Sequence, residues 1–134
     1  MEPDKTHLDN DQTYYVLGGG SAGIALARHL QADGRSVHFV DDREPPDDIP
    51  AIRDDPADMT VVQHIGLPPN AVVIAATRSD KRNLLIAQLV GTTTDVRRIV
   101  VLTNQPERRE PIADAGYEPL CVTTAVSDTL TNTI

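Results

Sequence analysis

From Tyr14 to Asp42 the chain reads YYVLGGGSAGIALARHLQADGRSVHFVDD, and its hydrophobic period changes twice. An apolar run, Tyr15-Val16-Leu17, breaks into Gly18, Gly19 and Gly20. Apolar positions then recur as Ala22, Leu26, Ala27 and Leu30, on one side of a 3.6-residue period. Gly34 stops that helix at its C′ position. Ser36 to Val40 alternates and is rich in strand formers, and it closes on Asp41-Asp42. The expected order is strand, glycine turn, helix, strand, acid.

The remaining chain continues the alternation. Thr60 to Ile65, TVVQHI, predicts a third strand, and Gly66 to Asn70 a turn. Ala71 to Ala76 predicts a fourth strand, whose unbroken apolar run is that of a strand covered on both faces. Ser79 is the expected N-cap and Gly91 the expected stop of the next helix. Arg98 to Leu102 predicts a fifth strand, Pro106 opens a helix that ends near Gly116, and Leu120 to Val122 predicts a short sixth strand. Thr123 or Thr124 then caps a last helix with Val126, Leu130 and Ile134 along one face. Between the second and third strands lies REPPDDIPAIRDDPAD; its prolines Pro45, Pro46, Pro50 and Pro56 exclude a regular helix, so the usual crossover helix is expected to be shortened or replaced by a loop. Residues 1–12 are polar and aperiodic and read as a disordered leader, in which His7 is a solvated side chain. Strands alternating with helices over short loops predict an α/β protein, a Rossmann-like doubly wound parallel sheet of about six strands, with residues 13–134 as a single domain.

Each residue type in the glycine segment has a chemical reason. Gly18 permits a tight turn off the strand, Gly20 clears space for a pyrophosphate, and Gly23 lets the helix approach the sheet. Ser21 and Ala22 complete a first helical turn whose free N–H groups, at the positive end of the helix dipole, suit phosphate. Asp41, on an exposed strand tip about 20 residues further on, is placed to accept hydrogen bonds from a ribose diol. In a doubly wound sheet the ligand lies across the carboxyl ends of the strands, which brings in Asp42 and Arg43, His64 and Ile65, and Ala76 and Thr77. No catalytic constellation and no regularly spaced metal ligands stand out.

Composition narrows the partners. With 20 acids against 12 bases the net charge is −8, which disfavours nucleic acid and anionic lipid. Only Lys5 and Lys81 are lysines, and this acid-rich, lysine-poor balance resembles proteins of salt-loving microbes. No apolar run approaches the roughly 20 residues of a membrane helix, and no signal peptide is recognisable, so a cytoplasmic location is expected without direct membrane insertion. The one cysteine, Cys121, reads as a small apolar strand residue.

In order along the chain, VLGGGSAGIALARHL, VHFVDD, VVIAATRSDKRNLLIAQL and RRIVVLTNQPERREPIADAGYEPLCVT resemble the N-terminal nucleotide-binding (TrkA-N) domain of RCK/KTN proteins, a family that includes the Trk-type potassium-uptake subunits. The most specific stretch is AATRSDKRNLL, similar to the family's A-x-T-x-S-D-x-x-N strand exit into a helix. The resemblance implies NAD or NADH, or alternatively ATP, ADP or AMP, in the cleft, a homodimer or larger ring, and regulation of a membrane potassium transporter or channel. The chain departs from the family at Ser21 and Leu102, where many members carry arginine, and at Gln63-His64-Ile65, where the family has G-D-x-T. The resemblance does not extend to the C-terminal lobe of full regulators. An FAD- or NAD-dependent oxidoreductase is the alternative reading of the glycine segment, and NADP is disfavoured because Asp41 would face its 2′-phosphate, although Arg43 offsets part of that.

Overall fold

Strand β1, Thr13–Leu17, is central because its inner residues are apolar on both faces: Val16 and Leu17 are both fully buried, and they point into different cores. The computed structural model describes residues 12–134, so residues 1–11 of the expected leader lie outside the described residues. β1 pairs in parallel with β2, Ser36–Asp41, on one side and with β4, Val72–Ala75, on the other. Strands β3 (Ala51–Arg53), β5 (Arg98–Thr103) and β6 (Glu118–Cys121) complete a six-stranded parallel sheet in the order β3-β2-β1-β4-β5-β6.

Helices cover both faces. Against one face, Ala27 of α1 (Ser21–Ala32) packs with Val16, Phe39 and Ile74, and Val122 at the start of α5 (Val122–Thr133) joins it. Against the other, Val62 of α2 (Met59–Ile65), Ile86 and Val90 of α3 (Asp80–Thr93) and Ile112 of α4 (Arg109–Asp114) pack with Leu17, Val40, Val73 and Val101. A short 3₁₀ turn, Pro106–Arg108, leads into α4 with the proline at its start, as expected. The sheet is therefore doubly wound, and the strand order, which runs outward from β1 to β3, switches to the other side between β1 and β4. That switch opens a crevice at the carboxyl ends of the two strands.

Three local expectations are corrected. Thr60 to Ile65 is not a strand but the body of α2, framed by the Asp58 carboxylate accepting Thr60 N–H at 2.8 Å and by Gly66 in the left-handed conformation, φ 69°. Ala57, Val61 and Ile65, spaced four apart, lean on the core beside buried Val62, so helical burial overrides the β-branched composition. The third strand is instead Ala51–Arg53, inside the proline-rich stretch. It sits on the sheet edge, where the preceding Pro50 costs no ladder bond and its carbonyl accepts Phe39 N–H at 3.0 Å. Residues 42–50 before it form a loop, one of the two outcomes expected for the crossover.

Gly91 does not end α3, which runs to Thr93; the hydroxyls of Thr92 and Thr94 bond back to the carbonyls of Gln88 and Val90 and satisfy the last turn. The final helix starts at Val122 without a side-chain cap, and Thr123 instead sits 3.3 Å from Cys121 Sγ. Hydrogen bonding from Thr123 and then Thr124 lowers the thiol of Cys121 to about 7. No helix among the described residues is long and apolar enough to cross a membrane.

Candidate functional site

The glycine turn is held by its neighbours. Gly18 adopts φ 89°, donates its N–H to Val40 O at 2.7 Å, and faces the γ-methyl of Thr77 so closely that no Cβ fits. At Gly23 a Cβ would stand 2.9 Å from Gly18 O and 3.2 Å from Ala76 O, both backbone atoms, so α1 can pack onto the strand ends only with glycine there. Gly20 is the N-cap of α1, and no side chain caps it and no acid stands in the first turn. The N–H groups of that turn are left to a ligand or to solvent.

Asp41 ends β2 beside this turn. It is 8% exposed, so the expected exposed tip is in fact buried. Its Oδ1 accepts Asp42 N–H at 2.9 Å, and its Oδ2 lies only 2.6 Å from where a Cβ of Gly19 would be. Burial pushes its carboxyl above the usual range; the side chain of Asp42 adds to the rise, and Arg43 opposes it.

A cleft of about 210 Å³ opens over these groups, lined by Gly19, Asp41, Asp42 and Arg43 from one side and by Thr77, Arg78, Ser79 and Arg82 from the other. A second compartment of about 100 Å³ shares Thr77 and Arg78 as its wall and is otherwise lined by Gly20, Ser21, Ala22, Ala76, Leu102, Asn104 and Val122. Of the residues nominated from the sequence, Ser21, Ala22, Gly20, Asp41, Asp42, Arg43, Ala76 and Thr77 therefore meet here, and Gly18 and Gly23 shape the turn beneath. His64 and Ile65 do not. They lie in the last turn of α2, which leads into the amino end of β4, and neither lines the cleft.

Sequence reasoning misses Arg78 and Arg82. Arg82 Nη2 pairs with Asp55 Oδ1 at 2.7 Å and stands 3.8 Å from Asp42 Oδ2, which ties α3 to the loops after β2 and β3. Its Nε is closed off from solvent without a hydrogen-bond partner. The signal for both arginines is their place in the exit from β4, the stretch that carries the strongest resemblance.

That exit is fixed by Asn83, 1% exposed. Its Oδ1 accepts from Thr77 N–H at 2.7 Å and Thr77 Oγ1 at 2.6 Å, while its Nδ2 donates to Thr77 O at 3.1 Å and Leu102 O at 3.0 Å. One amide thus joins the ends of β4 and β5. Asp80 adds a second tie, accepting from Thr103 Oγ1 at 2.6 Å and Asn104 N–H at 3.2 Å. Asn83→Ala should destabilise the domain by about 3 kcal/mol, since it orphans buried backbone groups and leaves a cavity. Denaturant unfolding checks this; a loss below about 1 kcal/mol would mean that the turn is held elsewhere.

A parallel sheet with an uncapped glycine-turn helix at its switch point and a buried acid ending the next strand defines a nucleotide-binding α/β domain of Rossmann type. The chain belongs to the TrkA-N domain family, whose pattern it matches over residues 14–127. It is 28% identical over 115 residues to the Trk system potassium uptake protein TrkA of Mycobacterium tuberculosis, covering 81% of this chain and 52% of that one. The chain thus spans about half the length of these relatives. Among solved structures, the NAD(P)-binding domain of an exopolyphosphatase-related protein from Archaeoglobus fulgidus superposes with a TM-score of 0.77 at 26% identity, over 90% of this chain and 95% of that one. The Kef C-terminal domain of Shewanella denitrificans, in AMP-bound form, gives 0.69 at 19% identity over 89% and 79%. The GsuK RCK domain gives 0.66 at 21% over 93% and 28%. These last two share the fold.

Proposed function

We propose that this chain is a regulatory domain that binds a nucleotide in the cleft between β1 and β4 and controls a membrane potassium transporter or channel. The observation that carries the reading is the convergence of an uncapped α1 N-terminus and buried Asp41 on one cleft. The residues suit such a ligand: the glycines leave room above the turn, the first-turn N–H groups suit phosphate, and Asp41 offers acceptors to a ribose diol. NAD or NADH is the favoured ligand, since a second compartment adjoins the first; ATP, ADP and AMP present the same diol and phosphates. The Archaeoglobus neighbour is named as an NAD(P)-binding domain and the Shewanella one as AMP-bound, which supports both classes. The potassium role rests on family membership and on the uptake function in the name of the mycobacterial relative. The domain acts in the cytoplasm, reaching the membrane through its transporter.

The nucleotide is an effector in this reading, not a reactant. Incubation with NADH should leave it unoxidised over hours while binding is saturable; stoichiometric or catalytic oxidation would make the domain an oxidoreductase instead.

The regulator is also proposed to pair. Val126, Leu130 and Ile134 on α5 are 51%, 57% and 101% exposed, and apolar grooves lie on both sides of Leu130. Such a stripe suits an isologous contact with a second copy. The net charge of −8 opposes association until salt screens it. Sedimentation should therefore show a homodimer that strengthens with salt and is weakened at least tenfold by Leu130→Asp. A monomer at every salt concentration would refute the pairing.

A further inference from the structure

We propose that Arg78 is the phosphate-binding residue of this cleft, supplying from the β4–α3 loop the positive charge that Ser21, at the start of α1, does not. The inference rests on the nucleotide reading above and adds which group holds the phosphates. Three observations carry it.

The first is position. A Cβ built on Gly20 would meet Arg78 Cγ at 2.9 Å and Nε at 3.0 Å, so the arginine lies directly over the turn whose N–H groups are uncapped. The second is that Arg78 lines both compartments and forms the wall between them. A pyrophosphate linking two nucleoside halves has to cross that wall, whereas a mononucleotide fills only one side of it. The third is its availability. Arg82 is committed to Asp55 at 2.7 Å, and Arg43 faces Asp41, whose ionised form it favours. Arg78 makes no ion pair or hydrogen bond among the described residues.

Charge makes such a residue necessary. The chain carries a net −8, and in the cleft Asp41 and Asp42 balance Arg43 and Arg82, so without Arg78 the lining offers a phosphate no net positive charge. Backbone N–H groups at one helix end carry only about half a unit charge between them. A guanidinium over the turn offers two N–H groups to one phosphate in the fork geometry that arginine favours. Leu102, on the far wall, adds none.

The test uses the full chain and three probes titrated calorimetrically: adenosine, ADP and NADH. Arg78→Ala should weaken ADP and NADH by about tenfold to hundredfold, the worth of one charge-assisted pair, while adenosine changes less than twofold. Arg78→Lys should recover part of the loss, and the fall of NADH affinity with added salt should become shallower in Arg78→Ala. Asp41→Asn serves as the reference, because it should weaken all three probes alike. If Arg78→Ala leaves ADP and NADH within twofold of the parent, or weakens adenosine as much as ADP, Arg78 does not hold phosphate and the proposal falls. In that case, unchanged sensitivity to Asp41→Asn would show that the cleft reading itself survives. If the parent binds none of the probes, the cleft reading fails and takes Arg78 with it.

Discussion

Gly20→Val is expected to give a folded protein that no longer binds nucleotide. The nearest atoms to a new Cβ at position 20 are Arg78 Cγ at 2.9 Å, Nε at 3.0 Å and Cδ at 3.5 Å, all in a flexible, exposed side chain that can swing away. The fold therefore absorbs the substitution. The binding surface does not, because the valine methyls then occupy the space above the first turn of α1 and the arginine is pushed off it. A loss of roughly hundredfold or more, about 2.8 kcal/mol, should follow, with the thermal midpoint close to the parent's. Gly23 differs, since its neighbours are the backbone oxygens of Gly18 and Ala76, which cannot move without separating α1 from the sheet. Nucleotide affinity in Gly20→Val within threefold of the parent would put the ligand elsewhere.

Asp41→Asn should trade binding for stability. Burial raises the Asp41 carboxyl above its ordinary value, so the folded protein holds the proton more tightly than the unfolded chain does. The sign is then set: this group's stabilising contribution is complete below the unfolded pKa and is lost as pH rises through the raised folded one. At neutral pH the buried carboxylate is a net cost to the fold. Asparagine keeps an oxygen for Asp42 N–H and removes the charge, so the thermal midpoint at pH 7 should stay level or rise. Ribose binding should weaken by about 1.5–3 kcal/mol, because charge-assisted hydrogen bonds to the diol become neutral ones or are lost. In the parent, nucleotide affinity should also fall on acidification at a higher pH than an ordinary aspartate would give, and in the mutant this dependence should flatten. A mutant that is clearly less stable with undiminished affinity would make Asp41 structural.

Much of this was legible from local pattern. The glycine turn, α1 and β2 follow from residues close in sequence, and at Gly18 and Gly23 an added Cβ would collide with Thr77 and with the carbonyl oxygens of Gly18 and Ala76 respectively. The closing acid was legible too, but its burial was not. That burial involves the glycine turn, where an added Cβ at Gly19 would stand 2.6 Å from Asp41 Oδ2, and the turn lies about twenty residues earlier in the chain. TVVQHI reads as a strand because it has a strand's composition; Asp58 and Gly66 at its ends, and the four-residue spacing of Ala57, Val61 and Ile65, are the features that mark a helix. His64 leaves the site with that strand. Edge strand β3 carries no signal of its own, being three exposed residues behind a proline, and it is a strand only because β2 offers a free edge. Arg78 and Arg82 were missed for the same reason as the burial of Asp41: they join the cleft only where the β4 exit meets the glycine turn, while in sequence they sit about sixty residues from it.

Nucleotide binding in this cleft is tested most directly by one titration, NADH into the purified domain at moderate salt, followed by calorimetry beside AMP, ADP, ATP and NADP. The expected result is saturable binding of one nucleotide per chain, weaker for NADP, whose 2′-phosphate meets Asp41, and lost in Gly20→Val. Absence of heat and of any thermal shift with every nucleotide at millimolar concentration would contradict it.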